Sequence, residues 1–497
     1  MRSTLPLPIV RWLVAVPAVA LVIAFAGFAP TATTVTTLAK KSPTFVNYQL
    51  GTQFIGERCP NSSTPCTNGA AEPAIRADNA GTFYASSENG LGAGTEAWKS
   101  TDGGHHYITL ASPNALSQTS QPQVAPGGGD TDLAVASARN ANGLYTVYVA
   151  SLNLANVDVS TSLDGGHSWT LHPTSATIPG DDREWIAADG ASKVCISYHS
   201  SASTNDIFVD CSADSGATFT QLANAFDTAH LYNAEFNNAI GNLAIDPSTH
   251  NVYQTFSGID QADVAPCTAG TGPCNTHVVY MAVSTDGGNS FTDYPVYDNP
   301  DRTVSYGHQF VNVSLDRAGN LYSVYSDNHN LFYSFSTDHG QHWSAPAQIN
   351  QSPSATAIFP WSVAGNAGKL DVVWYGTSYY DGVNPPDSYP ASAAWYVYFA
   401  QNLHATTTGS GFSQVAASPI NHFGGVCEGG ISCTGNRDLY DDFGVAASPI
   451  TGLASIVYSD DQYDSAQPTR CTTTQSNTSA CDHTAIATQT SGSGIFR

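Results

Sequence analysis

Apolar positions beyond residue 42 come in short runs or in alternation with polar ones, the period of strands, and essentially no amphipathic helix separates them. The runs at 278–283 and 331–335 each feed a small polar segment, the pattern of a strand entering a tight turn. That segment recurs as S-x-D-x-G-x-x-aromatic in five copies, starting at Ser100, Ser162, Ser212, Ser284 and Ser336. Its Asp suits turn amides, its Gly a positive φ, and its aromatic the packing beneath a hairpin. The five aspartates therefore read as turn residues rather than catalytic ones.

Upstream lies a second recurring strand, at 81–84, 143–145, 193–195, 251–253, 319–322, 368–371 and 452–454, and a third precedes it, as at 185–189, 243–246, 311–316 and 445–447. With one strand after the turn, each unit has four antiparallel strands. Repetition at this period predicts an all-β fold, a β-propeller of seven blades, with six as the alternative. The turn motif degenerates to Gly409-Ser-Gly-Phe412 in the sixth unit and to Gly492-Ser-Gly-Ile-Phe496 in the last, which lacks a fourth strand. Residues 44–50 are expected to supply that strand, pairing beside 484–488 and closing the ring.

A chain of 497 residues, 41% hydrophobic and 11% charged, can bury one large repeat domain at 42–497. Residues 12–29 are uncharged and mostly apolar behind Arg2 and Arg11, so 1–41 reads as an export signal, cleaved or retained as a membrane anchor, with a Thr-rich linker. A net charge of −24 repels phosphate backbones, which argues against nucleic acid as a partner. The ten cysteines fall as close neighbours, Cys59/Cys66, Cys195/Cys211, Cys267/Cys274, Cys427/Cys433 and Cys471/Cys481, which in an exported chain reads as disulfides. Their spacing does not suit zinc.

The five turn motifs resemble the Asp-boxes, or BNR repeats, of sialidase-like β-propellers, and the resemblance spans nearly all of residues 72–496. It implies a propeller fold. Families with the box include sialidases, other glycosidases and non-catalytic binding or assembly factors. For a sialidase it would imply an arginine triad on the sugar carboxylate, a Tyr/Glu nucleophile pair and an Asp acid/base. Where that family has Arg-Ile-Pro at the first strand, this chain has Glu72-Pro-Ala-Ile75.

Strand direction places the chemistry. With strands A to D alternating and the motif as the C-to-D turn, the D-to-A and B-to-C loops share the opposite face. That face receives the long segments 171–183, 257–277, 295–309, 376–394 and 413–442 and most of the cysteine pairs, the setting in which binding and catalysis occur on a rigid scaffold. Arg58, Arg183, Arg302 and Arg437 fall in D-to-A loops, either as forks for an acidic sugar or as loop salt bridges. Glu72, Asp130, Asp132, Asp181, Asp182, Glu184, Asp438, Asp441 and Asp442 supply carboxylates there, for glycoside hydrolysis or for a bound structural calcium. The local sets Arg183-Glu184 and Tyr440-Asp441-Asp442 make Asp182, Glu184, Tyr440, Asp441 and Asp442 the catalytic candidates. Arg58, Glu72, Arg183, Arg302, His308 and Arg437 are the substrate-binding candidates. Tyr306, Trp361, Tyr379, Tyr380 and Tyr389 are candidates to stack on sugar rings.

Motifs of serine hydrolases, P-loops, zincins and dinucleotide folds are not apparent. The expectation is a secreted, sialidase-like glycoside hydrolase acting on extracellular glycans and requiring no cofactor. Its rival is a non-catalytic propeller binding glycans or cell-surface proteins through the same face. The oligomeric state is left open.

Overall fold

The computed structural model describes residues 42–50, 71–88, 94–114, 127–153, 156–307, 309–430, 433, 437, 439–460 and 483–497. Residues 1–41, expected to be an export signal or anchor with its linker, as well as Arg58, His308, Asp438 and the pairs Cys59/Cys66 and Cys471/Cys481, lie outside them.

Seven antiparallel sheets of four strands carry the chain, one per repeat, and the sixth gains the short strand His422–Phe423 on its third. The first strands of the blades are Ala71–Ala77, Thr131–Arg139, Asp182–Asp189, Ala239–Ile245, Asn312–Leu315, Thr356–Ala364 and Gly444–Ala447. Each touches the first strand of the next blade and the last touches the first, so these strands ring the axis. Seven blades, not six, is the outcome. Strand Thr44–Gln49 pairs antiparallel with His483–Ser491, Asn47 facing Ala487, and completes the seventh blade as expected. It is the outer strand of that blade and covers the edge that His483–Ser491 would otherwise leave open. Among the described residues, helix is confined to short turns and none is long and apolar enough to cross a membrane.

The recurring turns sew neighbouring blades together. In the turn at Asp286, the carboxylate accepts from Ser284 Oγ at 2.7 Å and from the amides of Asn289 and Ser290 at 3.0 Å. Gly288, at φ +97°, brings its backbone so close to the preceding blade that a Cβ would stand 3.0 Å from Cys211 Sγ. Lys193 and Gln221 of that blade donate to the carbonyl of Gly287. The motif is thus a blade-to-blade joint, which accounts for its recurrence. Between blades the strands bury large aromatic side chains, Trp98, Trp185, Trp374 and Trp395 among them. Disulfides join Cys195 to Cys211 across adjacent strands, Cys267 to Cys274 and Cys427 to Cys433.

Candidate functional site

On the face opposite the Asp turns, the axis opens into a cavity of about 390 Å³ lined by Glu88, Asp130, Asp182, Arg183, His199, Phe310, Glu428, Arg437 and Asp441, among others. The strand-direction argument places these residues there: they begin first strands, end second strands, or sit in the loops between blades. Local backbone irregularity aims them. Register breaks lie between Ala71 and Ala74, Asp182 and Glu184, and Ile358 and Trp361. Within them Glu72, Arg183 and Phe359 hold φ of 47°, 65° and 51°, and Phe310 and Tyr440 near two other first strands hold 38° and 54°. Left-handed backbone at a bulky residue costs about 1–3 kcal/mol and persists where the surroundings over-determine it, commonly at functional sites. A bulge of this kind re-aims a side chain. Here it turns Glu72 and Arg183 to the axis.

Arg183 is the hub. Its Nη1 and Nη2 donate to the two oxygens of Glu72 at 3.2 and 3.1 Å, and Nη2 also to Asp441 Oδ2 at 3.1 Å. Nε lies 3.4 Å from Asp130 Oδ2, and Nη1 3.6 Å from Asp442 Oδ1. The guanidinium stacks on Phe310, 4.2 Å from its centroid. Four carboxyl groups from blades one, two and seven thus converge on one cation from blade three. Arg437 seconds it, 2.9 Å from Asp441 Oδ2 and 3.4 Å from Glu72 Oε1, with its guanidinium over Tyr440. Below, Trp185 and Trp361 pack at 5.1 Å, and Arg76 pairs with Asp132 at 2.8 Å.

The cavity carboxyls are pushed apart in acidity. Burial raises Glu88 to about 8, reinforced by the charge of Asp130. Burial likewise holds Glu72 well above the carboxylate range, and Asp442 up to about 7. For Asp130 burial is outweighed by Arg183, by a hydrogen bond from Glu72 and by Arg437, and it lies below its ordinary value. Glu428 is raised by burial, its oxygens bonded to Gln309 Nε2 and, at 2.6 Å, to Asn328 Nδ2. Near neutral pH the site therefore holds an ionised Asp130 beside a protonated Glu88, and oxygens of Glu72, Glu88 and Asp130 lie within 4.8 Å of one another.

Of the residues singled out by sequence, Asp130, Asp182, Arg183, Arg437 and Asp441 line the cavity. Glu72 is fully buried behind Arg183, and Asp442 lies beside it. Glu184 is buried, with neither carboxylate oxygen hydrogen-bonded, in the field of Asp130, Asp158 and Asp132, and burial raises its pKa. It is not among the cavity-lining residues. Tyr440 packs under Arg437. Arg302 departs from the expectation: it pairs with Asp298 and Asp263 in the outer loops of blade four and lines no part of the cavity. The proposed arginine cradle for a sugar acid also departs from the geometry, because the donors of Arg183 are already directed to protein carboxylates.

Glu88, Glu428 and His199 were not singled out by sequence. Glu88 and His199 end the second strands of blades one and three, so the same strand alternation that selected the loops before first strands assigns them to this face. Glu428 follows Cys427, whose bridge to Cys433 pins the loop that presents it. Among the described residues, two sets of side chains have metal-ligand spacing, Glu72/Glu88/Asp130 and Asp227/His230/Asp293. In the first, the Arg183 guanidinium already supplies the positive charge and would repel a cation. In the second, Asp227 Oδ1 already accepts from the amides of Ala229 and His230 and from His230 Nδ1.

No family model matches the sequence, and no curated protein matches it. Among solved structures the chain is similar to an α-L-arabinofuranosidase from Fusarium graminearum, with 13% identity, 68% of this chain and 93% of that chain covered, and a TM-score of 0.45. It is similar to a xyloglucanase from Xanthomonas campestris, with 13% identity, 80% and 52% covered, and a TM-score of 0.48. A Hadza microbial sialidase has 10% identity, 64% of each chain covered and a TM-score of 0.40. Likenesses this distant assign no residue of the cavity.

Proposed function

We propose that this chain is a glycan-active propeller, a glycoside hydrolase whose site is the axial cavity, with Glu88 as general acid and Asp130 as the ionised partner. The observation that carries the reading is the opposed acidity of these two carboxyls within one cavity. Glycosidic cleavage needs that pair, one group to protonate the leaving oxygen and one to meet the anomeric carbon. Their oxygens lie within 4.8 Å. That is too short for the water an inverting displacement places between its carboxyls, and near the spacing of retaining ones. Asp130 then attacks as the glycosidic bond breaks, Glu88 passes its proton to the departing oxygen, and a glycosyl ester forms. Water, deprotonated by the Glu88 carboxylate, cleaves that ester and restores both groups. Arg183 holds Asp130 ionised and oriented.

The substrate class we infer is neutral. Arg183 and Arg437 are already paired with protein carboxylates, which a sugar acid would have to displace, and a sialidase specificity is not adopted. The apolar segment at 12–29 and the three disulfides among the described residues support export to an extracellular setting. The test is a hydrolysis screen on arabinan, xyloglucan, sialyllactose and neutral aryl glycosides, with Glu88→Gln and Asp130→Asn alongside. Hydrolysis of a neutral glycan, reduced by about 10²–10⁴-fold in the variants, is expected. Cleavage of sialyllactose alone, or full activity in both variants, would overturn the assignment. Binding without cleavage would favour a non-catalytic glycan receptor.

A further inference from the structure

Five aromatic residues on the cavity face were candidates for sugar stacking. Tyr306, Trp361 and Tyr389 are buried, while Tyr380 is 45% exposed. Its inner face lies flat on the His329 imidazole, with centroids 3.5 Å apart and planes at 20°. Burial depresses the basicity of His329, so the ring beneath Tyr380 is neutral and the pair stacks without a charge to solvate. The phenol is therefore held in one pose with one face to solvent, an arrangement that binds an apolar ring face at little cost in side-chain entropy.

Two links tie this platform to the cavity wall. Asn328, the neighbour of His329 and itself at φ 72°, donates to Glu428 at 2.6 Å. From the other side, the Val426 amide in the Glu428 loop donates to the Pro386 carbonyl in the Tyr380 loop at 3.1 Å. The loop is also braced internally, with Asp381 accepting from the amides of Val383 and Asn384 at 3.0 and 2.9 Å. Tyr389 donates to or accepts from Thr356 Oγ1 at 2.7 Å. The platform is thus joined to the cavity wall through His329, Asn328 and Glu428, on the side where a sugar next to the one in the cavity would lie.

We propose that the outer face of Tyr380, backed by His329, is a sugar-stacking subsite for a ring adjoining the one held in the cavity, so that the substrate is an extended neutral glycan rather than a single terminal sugar. The subsite rests on the axial cavity being the glycan site but not on hydrolysis. Affinity electrophoresis in gels containing arabinan, xyloglucan or galactan measures it for the wild type, Glu88→Gln, Tyr380→Ala and Tyr380→Trp. Retention of the wild type and Glu88→Gln by at least one polysaccharide is expected. Tyr380→Ala should weaken it about tenfold and Tyr380→Trp should retain it, the size expected of one aromatic stack. On a cleaved polysaccharide, Tyr380→Ala should raise KM about tenfold with kcat within about twofold. Retention that depends on Tyr380 without cleavage supports the subsite and rejects the hydrolase. Cleavage and retention unaffected by Tyr380→Ala support the hydrolase and reject the subsite. Neither retention nor cleavage on any of the three overturns both.

Discussion

Replacing Arg183 with Met removes the cation on which four carboxyls from three other blades converge, while keeping an unbranched side chain of similar length. In the folded wild type, Asp130 titrates below its ordinary value, with Arg183 the largest of the influences that lower it. The stability it contributes is therefore present above the unfolded carboxylate range and is lost as pH falls through the folded pKa. Without the guanidinium, burial dominates and the same carboxyl is raised. Folding must then bind a proton, at about 1.4 kcal/mol for each pH unit above an unfolded pKa near 3.9. That amounts to about 1.5 kcal/mol at pH 5 and about 5.5 kcal/mol at pH 8, the upper value just above the 3–5 kcal/mol typical of a broken buried pair. With an unfolding entropy near 2.1 cal/mol/K per residue, a domain this large shifts by about 1 °C per kcal/mol. Thermal melts followed by circular dichroism should show Arg183→Met lower by about 5 °C at pH 8 and by about 1–2 °C at pH 5. Equal shifts at the two pH values, or a loss under about 1 °C at pH 8, would refute the account of Arg183 as the charge that keeps the site ionised.

With Glu88 protonated up to about 8 and acting as the acid, turnover on any cleaved glycan should fall as pH rises past that value, and Glu88→Gln should abolish that limb; a rate still climbing at pH 9 would exclude Glu88. Asp286→Ala removes acceptors of four hydrogen bonds at a partly solvated turn, which should lower stability by about 1 kcal/mol and leave activity per folded molecule intact; denaturant unfolding and specific activity measured together check both. Deleting residues 42–50 opens the seventh blade and should lower the thermal midpoint of the whole domain in one transition, on the order of 5 °C; an unchanged midpoint would mean the closing strand adds nothing.

What the sequence determined by itself was whatever repeats. Strand alternation, the Ser-Asp-Gly turn and the missing last strand each recur or fail at a fixed period, so local chemistry alone specified four-stranded units and the closure by residues 44–50 and favoured seven units over six. The same alternation separated the two faces, which is why Asp182, Arg183, Arg437 and Asp441 were legible as residues of one mouth. Which of them touch was decided only by tertiary structure. Glu72, Asp130, Arg183 and Asp441, far apart in the chain, are drawn together from four consecutive blades of the closed ring, and bulges with left-handed backbone at Glu72 and Arg183 turn them inward. A local reading of Arg183-Glu184 as a functional pair therefore separates into a cation on the cavity and an acid buried away from it. Arg302 has acidic neighbours like Arg183, yet it pairs with Asp298 and Asp263 and lines no part of the cavity. Acidity is decided last. Glu88 and Asp130 are ordinary carboxylic acids in the chain, and it is burial for one and nearness to Arg183 for the other that give them opposite charge states in one cavity.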